Sequence, residues 1–292
     1  MQLPVQLRKR NPDTHKGDYG YVLVLGGSSG LTGAVCLCAQ GCLRIGAGLV
    51  KVGVPESLHN IFEIKLTEPM SVALKEEPKG YLSLGAFSSI KKLLAKIDVI
   101  VLGPGAFTNV STKKLILKII KEIDKPMVVD ADGINALVGN LEILKKHKSS
   151  QLVLTPHAGE FSRLIGLSPQ KIKNKRKELV KKFALRYNLT LVFKGFHTLV
   201  SDGKSLFENK TGNPGMATAG MGDVLSGMIA GLMAQGIDSF SAAKTGVYLH
   251  GLAADLAAKD KTQNCLIASD VLDYLPKAIK GSLKRAPEHP ST

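Results

Sequence analysis

Short apolar runs alternate along this chain with longer segments in which apolar residues recur at helical spacing. The runs are rich in β-branched residues, which is typical of strands that are buried on both faces. Strands are predicted at residues 21–25, 49–53, 98–102, 127–130, 152–155, 191–194 and 197–201, the last followed by a hairpin-like turn at Asp202 and Gly203. Helices are predicted at about 32–46, through most of 223–258 and near 269–275. This alternation predicts an α/β fold with a mainly parallel sheet covered on both faces.

Small or titratable residues follow nearly every predicted strand. These clusters lie at residues 26–28, 103–105, 130–132, 155–157 and 194–195. Ligands of open α/β sheets bind beyond the carboxyl ends of the strands, so we expect the clusters to line one crevice. The first cluster lacks the Gly-x-Gly-x-x-Gly spacing of dinucleotide-binding oxidoreductases, and we reject that class of protein.

Residues 211–223 read Thr-Gly-Asn-Pro-Gly-Met-Ala-Thr-Ala-Gly-Met-Gly-Asp and lie directly before an apolar helical pattern. Such a glycine-rich loop exposes backbone N–H groups at a helix N-terminus, where the helix dipole also favours negative charge. The loop therefore predicts a phosphate site. Asp223 would repel a phosphate, so we interpret it as accepting a proton from, or orienting, a group beside the phosphate. A simple N-cap is the alternative, but a cap does not require four glycines.

Two further clusters carry side chains suited to proton or anion chemistry. Glu160 suits the first turn of a helix, and we interpret His157 as a ligand contact rather than a surface histidine. Lys194 and Thr198 join two predicted strands. They are interpreted as nucleotide contacts rather than as the basic edge of a hairpin.

An acidic cluster follows the predicted strand at 127–130. Asp130 and Asp132 with Asn135 could bind a metal or cap the helix that begins near Ile134. Capping is favoured for Asp132, and the role of Asp130 stays open.

Composition narrows the class of protein. The 292 residues carry a formal net charge of +15, and the densest basic run lies at 171–177. Because this run lacks interleaved aromatic residues and the chain has no Trp, a solvated helix face is favoured over a nucleic-acid site. The sequence shows no apolar run of membrane-spanning length and no secretory signal, so we expect a cytoplasmic protein without a membrane partner. Four cysteines, at 36, 38, 42 and 265, form no Cys-x-x-Cys pair, which favours reduced thiols in the core over zinc or disulfides.

Taken together, the ordered motifs resemble the ADP/ATP-dependent NAD(P)H-hydrate dehydratases of the ribokinase-like superfamily. The resemblance runs over about residues 15–258, and its carriers lie at 15–18, 26–28, 32–34, 44–50, 103–105, 130–135, 155–160, 194–198 and 213–223. Ribokinase-like kinases usually carry Asn where this chain has His157, so the dehydratase branch is favoured over a kinase for a vitamin or sugar alcohol. The resemblance implies a three-layer α/β/α sandwich, with 1–292 as one domain and no fused epimerase domain.

The resemblance also implies an activity, its co-substrates and its site residues. The activity is ADP-dependent dehydration of the 6S hydrates of NADH and NADPH. ADP, with ATP as the alternative co-substrate, phosphorylates the C6 hydroxyl in the presence of Mg²⁺, and ADP yields AMP and phosphate. The protein is expected to form a homotetramer. No nucleic-acid partner is expected. The implied site residues are, for the hydrate, Ala34, Gly105, His157 and Asp223; for the nucleotide, Lys194, Gly195, Phe196, His197, Thr198 and Gly222; for catalysis, Asp223, Gly220 and Gly222; and, for a metal contact through water, Glu160.

Two of these residues carry specific expectations. Phe196 stands where the family usually has a small residue, so the nucleotide contact is expected to differ there. Asp223 lies at a helix N-terminus and is expected to stay charged and only weakly basic.

Overall fold

The computed structural model describes residues 1–8, 10–78 and 80–284, and its centre is a nine-stranded sheet. The strands in chain order are β1 Tyr21–Leu25, β2 Leu49–Pro55, β3 Met70–Leu74, β4 Glu76–Glu77, β5 Tyr81–Leu82, β6 Val99–Leu102, β7 Met127–Val129, β8 Leu152–Leu154, β9 Thr190–Phe193, β10 Leu199–Ser201 and β11 Leu206–Glu208. The order across the sheet is β11-β10-β9-β8-β7-β6-β1-β2-β3. Pairing is parallel from β3 to β9 and antiparallel along β9-β10-β11, while β4 and β5 form a separate hairpin.

Helices cover both faces of this sheet. They are α1 Thr32–Arg44, α2 His59–Lys65, α3 Phe87–Leu93, α4 Val110–Glu122, α5 Asp132–Leu137, α6 Ala158–Ile165, α7 Pro169–Tyr187, α8 Met221–Ala234, α9 Ser239–Lys261 and α10 Ala268–Lys284. Alternate residues of β1 enter two different cores: Val22 and Val24 pack with α1, α8, α9 and α10, whereas Leu23 and Leu25 pack with α3 to α7. The three-layer α/β/α prediction is confirmed.

Helix α8 packs closely against α1 because glycines face the neighbouring backbone. A Cβ on Gly227 would lie 2.0 Å from the carbonyl oxygen of Cys38, and a Cβ on Gly41 would lie 2.6 Å from that of Val224. Any larger residue at these two positions would push the helices apart. The helix that follows the glycine-rich loop is therefore held firmly against α1.

All seven predicted strands form, and their ends differ from the prediction by at most two residues. The turn at Asp202 joins β10 to β11 as expected, with its Oδ1 accepting hydrogen bonds from the amides of Lys204 and Ser205. Strands β3 and β11 and the β4–β5 hairpin were not predicted. β3 is an edge strand with one fully buried residue, so it lacks the continuous apolar run that marks the central strands.

The basic run lies on α7 with its lysines exposed, as predicted for a solvated face. Among the described residues, no helix is both long and apolar enough to cross a membrane. The four cysteines are free; Cys38 and Cys42 are buried. Cys265 is exposed, so the prediction that the thiols belong to the core is wrong for that residue. It lies in the connection between α9 and α10 rather than on a packed helix face.

Candidate active site

The clusters that follow the strands meet at one edge of the sheet. The amide of Gly27 donates to the carbonyl oxygen of Pro104 at 2.9 Å, and the amide of Lys194 donates to that of Pro156 at 2.8 Å. Lys194 also reaches Asp130, with Nζ 2.7 Å from Oδ1. Side chains and backbone from five separate loops thus surround one crevice, as the sequence predicted.

The glycine-rich loop ends at the first turn of α8, which opens toward Lys194. Gly220 precedes the helix with a φ of 88°, a left-handed conformation that suits glycine. The first N–H groups of the helix have no partner within it. A Cβ on Gly222 would lie 3.1 Å from Lys194 Nζ, so the missing side chain leaves the ammonium next to these amides. An ammonium and free amides together form a site for an anion.

The first half of the same loop is anchored to α9 by Asp255. Its Oδ2 accepts a hydrogen bond from the Gly212 amide at 2.9 Å, and its Oδ1 accepts from Asn213 Nδ2 at 3.0 Å. Asn213 Oδ1 in turn accepts from the Gly215 amide at 3.0 Å. Asp255 lies 42 residues from Asn213 within a helical pattern, and no sequence signal singled it out. A cavity of about 520 Å³ adjoins the anchored loop and is lined by Pro214, Gly215, Ala217, Thr218, Gln263, Asn264, Cys265, Leu266 and Ile267.

Asp130 and Lys194 form a buried ion pair in the floor of the crevice. The second oxygen of Asp130 accepts a hydrogen bond from Ser226 Oγ at 2.7 Å. Burial by itself would raise the pKa of Asp130, but the charge and hydrogen bond of Lys194 and the hydroxyl of Ser226 hold that pKa below its usual value. Burial disfavours the ammonium, yet Asp130 and Glu160 raise the pKa of Lys194. Both partners are therefore charged. From the sequence alone the role of Asp130 stayed open, and Ser226 was not identified as a site residue.

Asp223 lies in the first turn of α8, half-buried beside this pair. Burial, and after it the charge of Asp130, raise the pKa of Asp223 to about 7, while Lys194 acts in the opposite direction. The expectation of a weakly basic carboxylate is therefore wrong. The helix N-terminus was visible in the sequence, but the desolvation and the neighbouring carboxylate were not. Asp223 has the proton affinity of a general base that works near neutral pH.

His157 and Glu160 form a capping box at the start of α6. His157 Nδ1 accepts hydrogen bonds from the amides of Gly159 and Glu160, and Glu160 Oε2 accepts from the amide of His157 at 2.7 Å. Because Nδ1 is an acceptor, the neutral ring carries its proton on Nε2. Burial, then Lys194 and Arg163, lower the pKa of His157, and burial raises the pKa of Glu160. Glu160 occupies the first turn as predicted, and the half-exposed His157 ring keeps one N–H donor.

The loop 194–198 presents its lysine to the crevice and its aromatic residue to solvent. Thr198 Oγ1 donates to the Gly195 carbonyl oxygen at 3.0 Å, which closes the loop. Arg176 on α7 donates to the carbonyl oxygens of Phe196 and His197. The Phe196 ring is 84% exposed and stacks on His197 with ring centroids 4.0 Å apart. The backbone of this loop is therefore fixed from behind by α7.

Ala34 and Gly105 lie side by side near the start of α1. A Cβ on Gly105 would stand 3.2 Å from Ala34 Cβ and 2.5 Å from the carbonyl oxygen of Leu31. One turn further along α1, Leu37 packs against Gly220, where an added Cβ would be 2.5 Å from Leu37 Cδ1. The structure thus brings the α1 residues next to the glycine-rich loop.

Asp132 does not cap α5, so that prediction is wrong. The N-cap position is Ala131, with a φ of 48° and no side-chain cap. Asp132 instead turns to the neighbouring loop, where its Oδ2 accepts from the amide of Phe107 at 2.9 Å and its Oδ1 from Asn135 Nδ2 at 3.2 Å. Over residues 1–8, 10–78 and 80–284, no group of three or more His, Cys, Asp or Glu side chains is arranged to hold a metal ion.

Comparisons with known proteins connect this geometry to a family. A family model described as NAD(P)H-hydrate dehydratase matches residues 22–277. The bifunctional NAD(P)H-hydrate repair enzyme Nnr of Moorella thermoacetica is 44% identical over 277 residues, which cover 94% of this chain and 52% of that enzyme. The chain thus spans about half the length of this relative.

Solved structures give the same result. The ADP/ATP-dependent NAD(P)H-hydrate dehydratase from Bacillus subtilis, co-crystallised with ATP and Mg²⁺, matches with a TM-score of 0.80 and 29% identity over 94% of each chain. A ribokinase-like superfamily protein from Enterococcus faecalis matches with a TM-score of 0.78 and 25% identity, over 97% of this chain and 96% of that chain. The fold is therefore ribokinase-like, and the chain belongs to the NAD(P)H-hydrate dehydratase family.

Proposed function

We propose that the protein removes water from the 6S hydrates of NADH and NADPH, and that ADP or ATP drives the reaction by phosphorylating the C6 hydroxyl. One observation carries this proposal: Asp223, with a pKa of about 7, stands at the α8 N-terminus beside Gly222 and the Lys194 ammonium. A base next to an anion site suits transfer of a phosphoryl group to a hydroxyl.

The chemistry follows from the poor leaving ability of hydroxide. Asp223 accepts the proton of the C6 hydroxyl while the hydroxyl oxygen attacks the terminal phosphorus of the nucleotide. The bridging P–O bond of the nucleotide breaks in the same step, so ADP would leave as AMP. The C6–O bond then breaks with loss of phosphate, as the ring nitrogen lone pair moves toward C6. Loss of a C5 proton restores the double bond of the dihydronicotinamide.

The anion site stabilises charge that develops on the phosphoryl group. The amides in the first turn of α8, next to Gly220 and Gly222, and the Lys194 ammonium supply the donors. Removing one such donor in comparable sites costs roughly 3 kcal/mol of transition-state stabilisation.

We assign the two substrates to opposite sides of the anion site at the α8 N-terminus. The hydrate contacts Ala34, Gly105, His157 and Asp223, and the His157 Nε2–H is available as a donor. The nucleotide contacts the loop 194–198 and Gly222. The cavity of about 520 Å³ beside residues 214–218 offers room for the rest of that nucleotide.

Mg²⁺ is proposed as the companion of the nucleotide. This ion usually takes one or two carboxylates, phosphate oxygens and water. Glu160 fits a contact through water: its Oε2 is taken by the His157 amide, and its Oε1, 3.5 Å from His157 Nε2, is available to a water of the hydration shell. When bound, Mg²⁺ would neutralise phosphate charge.

One assay tests the proposal. Purified protein is mixed with hydrated NADH, ADP or ATP, and Mg²⁺, and the reaction is followed by NADH absorbance, released phosphate and AMP or ADP. Equal amounts of NADH and phosphate support the dehydratase. A stable phosphorylated product without NADH would point to a kinase and contradict the proposal.

Three further features are part of the proposal: one domain over 1–292, a homotetramer and a cytoplasmic location. Light scattering coupled to gel filtration tests the tetramer, because four chains of 31.1 kDa give a distinct mass.

A further inference from the structure

A buried carboxylate, Asp130, joins three separate elements at the proposed phosphoryl site. It follows β7, and its side chain is 2% exposed. Oδ1 accepts a hydrogen bond from Lys194 Nζ, and Oδ2 accepts one from Ser226 Oγ, both at 2.7 Å. Lys194 follows β9, and Ser226 belongs to α8. One side chain therefore ties two strand ends to the helix that begins at the glycine-rich loop.

The ion pair lies directly against the first turn of α8. A Cβ on Gly222 would stand 3.1 Å from Lys194 Nζ and 3.8 Å from Asp130 Oδ2. Ser226 follows Gly222 by four residues, so both lie on the same face of the helix. The two hydrogen bonds of Asp130 thus fix the lysine and the helix face against which it sits.

A purely structural ion pair would not require this arrangement. Buried ion pairs contribute little net stability, because desolvation offsets the attraction between the charges. The ammonium of Lys194 has three donors, of which Asp130 takes one; Glu160 Oε2 lies 4.0 Å away. At Gly222, the absence of a side chain leaves the ammonium uncovered on the side of the α8 amides.

We infer that Asp130 is a positioning residue for phosphoryl transfer, acting through its neighbours: it aims the Lys194 ammonium at the α8 N-terminus, and its negative charge strengthens Asp223 as a base. The inference rests on the proposed function. Asp130 is assigned to act through these neighbours because its side chain is buried and its two oxygens accept hydrogen bonds from Lys194 and Ser226.

The charged groups around Asp223 come from several elements. Burial and then Asp130 raise the pKa of Asp223, and Asp132 and Glu160 contribute in the same direction. Lys194 opposes them. The charge of Asp223 also acts on the Cys38 thiol of α1, whose pKa is raised well above its usual value, chiefly by burial. Removing the charge of Asp130 should therefore weaken Asp223 as a base.

The test compares Asp130→Asn, which keeps the shape and removes the charge, with Ser226→Ala, which removes the adjacent hydroxyl and keeps the charge. The titration midpoint of Asp223 is followed by carbon NMR of labelled aspartate carboxyls, with Asp223→Asn identifying the resonance. ADP affinity is measured by calorimetry, and kcat is measured against pH. Neither NMR nor calorimetry requires a hydrated dinucleotide. Both measurements therefore test the role of Asp130 even if the wild type does not dehydrate NADH hydrate.

For Asp130→Asn we expect the Asp223 midpoint to fall by at least about half a pH unit. Its ADP affinity should fall by about tenfold, and its kcat by about 100-fold, as is typical when a group that positions the reactants is lost. Ser226→Ala should keep the midpoint. An unchanged midpoint in Asp130→Asn would overturn the inference, whether or not kcat falls, because a structural residue alone gives that result.

If Asp130→Asn does not fold, Asp130→Glu is used to test the positioning role. This variant keeps the charge and shifts the carboxylate by one methylene. An Asp223 midpoint that stays near its wild-type value, together with at least about a tenfold loss of kcat, would support the positioning role. A wild-type kcat in Asp130→Glu would overturn it.

Discussion

Replacing Asp223 with Asn should make the protein more stable at alkaline pH. The fold raises the pKa of this carboxyl from 3.8 to about 7, chiefly through burial and the charge of Asp130. Between these two values the folded protein retains a proton that the unfolded chain releases. Because the unfolded state binds fewer protons there, stability falls as pH rises through this window, and the loss is complete above pH 7.

The size of this effect follows from the shift. About three pH units correspond to roughly 4 kcal/mol, at about 1.36 kcal/mol per unit. Asp223 keeps partial contact with water, so we expect about half of that, ~2 kcal/mol, as a gain for Asp223→Asn at pH 8. The gain should shrink through pH 6 and become small near pH 4, where the folded carboxyl is protonated and that of the unfolded chain is about half protonated.

Urea unfolding followed by circular dichroism at these three pH values measures the effect. Asp124→Asn is the matched control, since Asp124 is an exposed carboxylate between α4 and β7 and its loss should change stability by less than about 0.5 kcal/mol. The reasoning would be refuted by an Asp223→Asn protein that is less stable than the wild type at pH 8. A gain of equal size at pH 8 and pH 4 would refute it equally.

Three other outcomes are expected. The wild-type kcat should rise with pH through a midpoint near 7, because Asp223 must lose its proton to act as a base; a flat profile between about pH 5 and 8 would exclude that role. Asp255→Asn should weaken ADP binding by about tenfold in calorimetry, or ~1.4 kcal/mol, because the loop at 212–215 loses its anchor; an unchanged Kd would show that this loop does not shape the nucleotide site. Gly220→Ala should cost about 1–3 kcal/mol in urea unfolding, because its φ is 88° and its Cβ would meet Leu37 Cδ1 at 2.5 Å; Gly30→Ala, at a φ of 81° with open space around it, is the control for backbone strain without the clash.

Much of the fold was predictable because its central strands are continuous apolar runs. β1 and β6 are buried along nearly their whole length, and both were predicted from this pattern. β3 was missed because an edge strand is half exposed and its sequence is mixed. The crevice was predictable for a related reason: parallel strands place their carboxyl ends at one edge, so the polar clusters that follow them must converge.

The finer chemistry of the site was not predictable from local patterns. Asp130 and Ser226 are separated by 96 residues, and their hydrogen bond depends on how α8 packs over β7. Asp132 looked like a helix cap, but its carboxylate binds the amide of Phe107 in another loop. The pKa of Asp223 likewise depends on burial and on Asp130, so the helix N-terminus was a misleading guide. The residue types were visible in the sequence, whereas their partners required the tertiary structure.

The central claim is that Asp223 takes the proton of the hydroxyl that the nucleotide phosphorylates. The most direct measurement is a single turnover of hydrated NADH with ADP and Mg²⁺ by wild type and Asp223→Asn, after calorimetry has shown equal ADP affinity. We predict NADH and phosphate from the wild type, and a loss of at least about 100-fold in the variant, as is typical for removal of a general base. Near wild-type turnover in Asp223→Asn would contradict the claim.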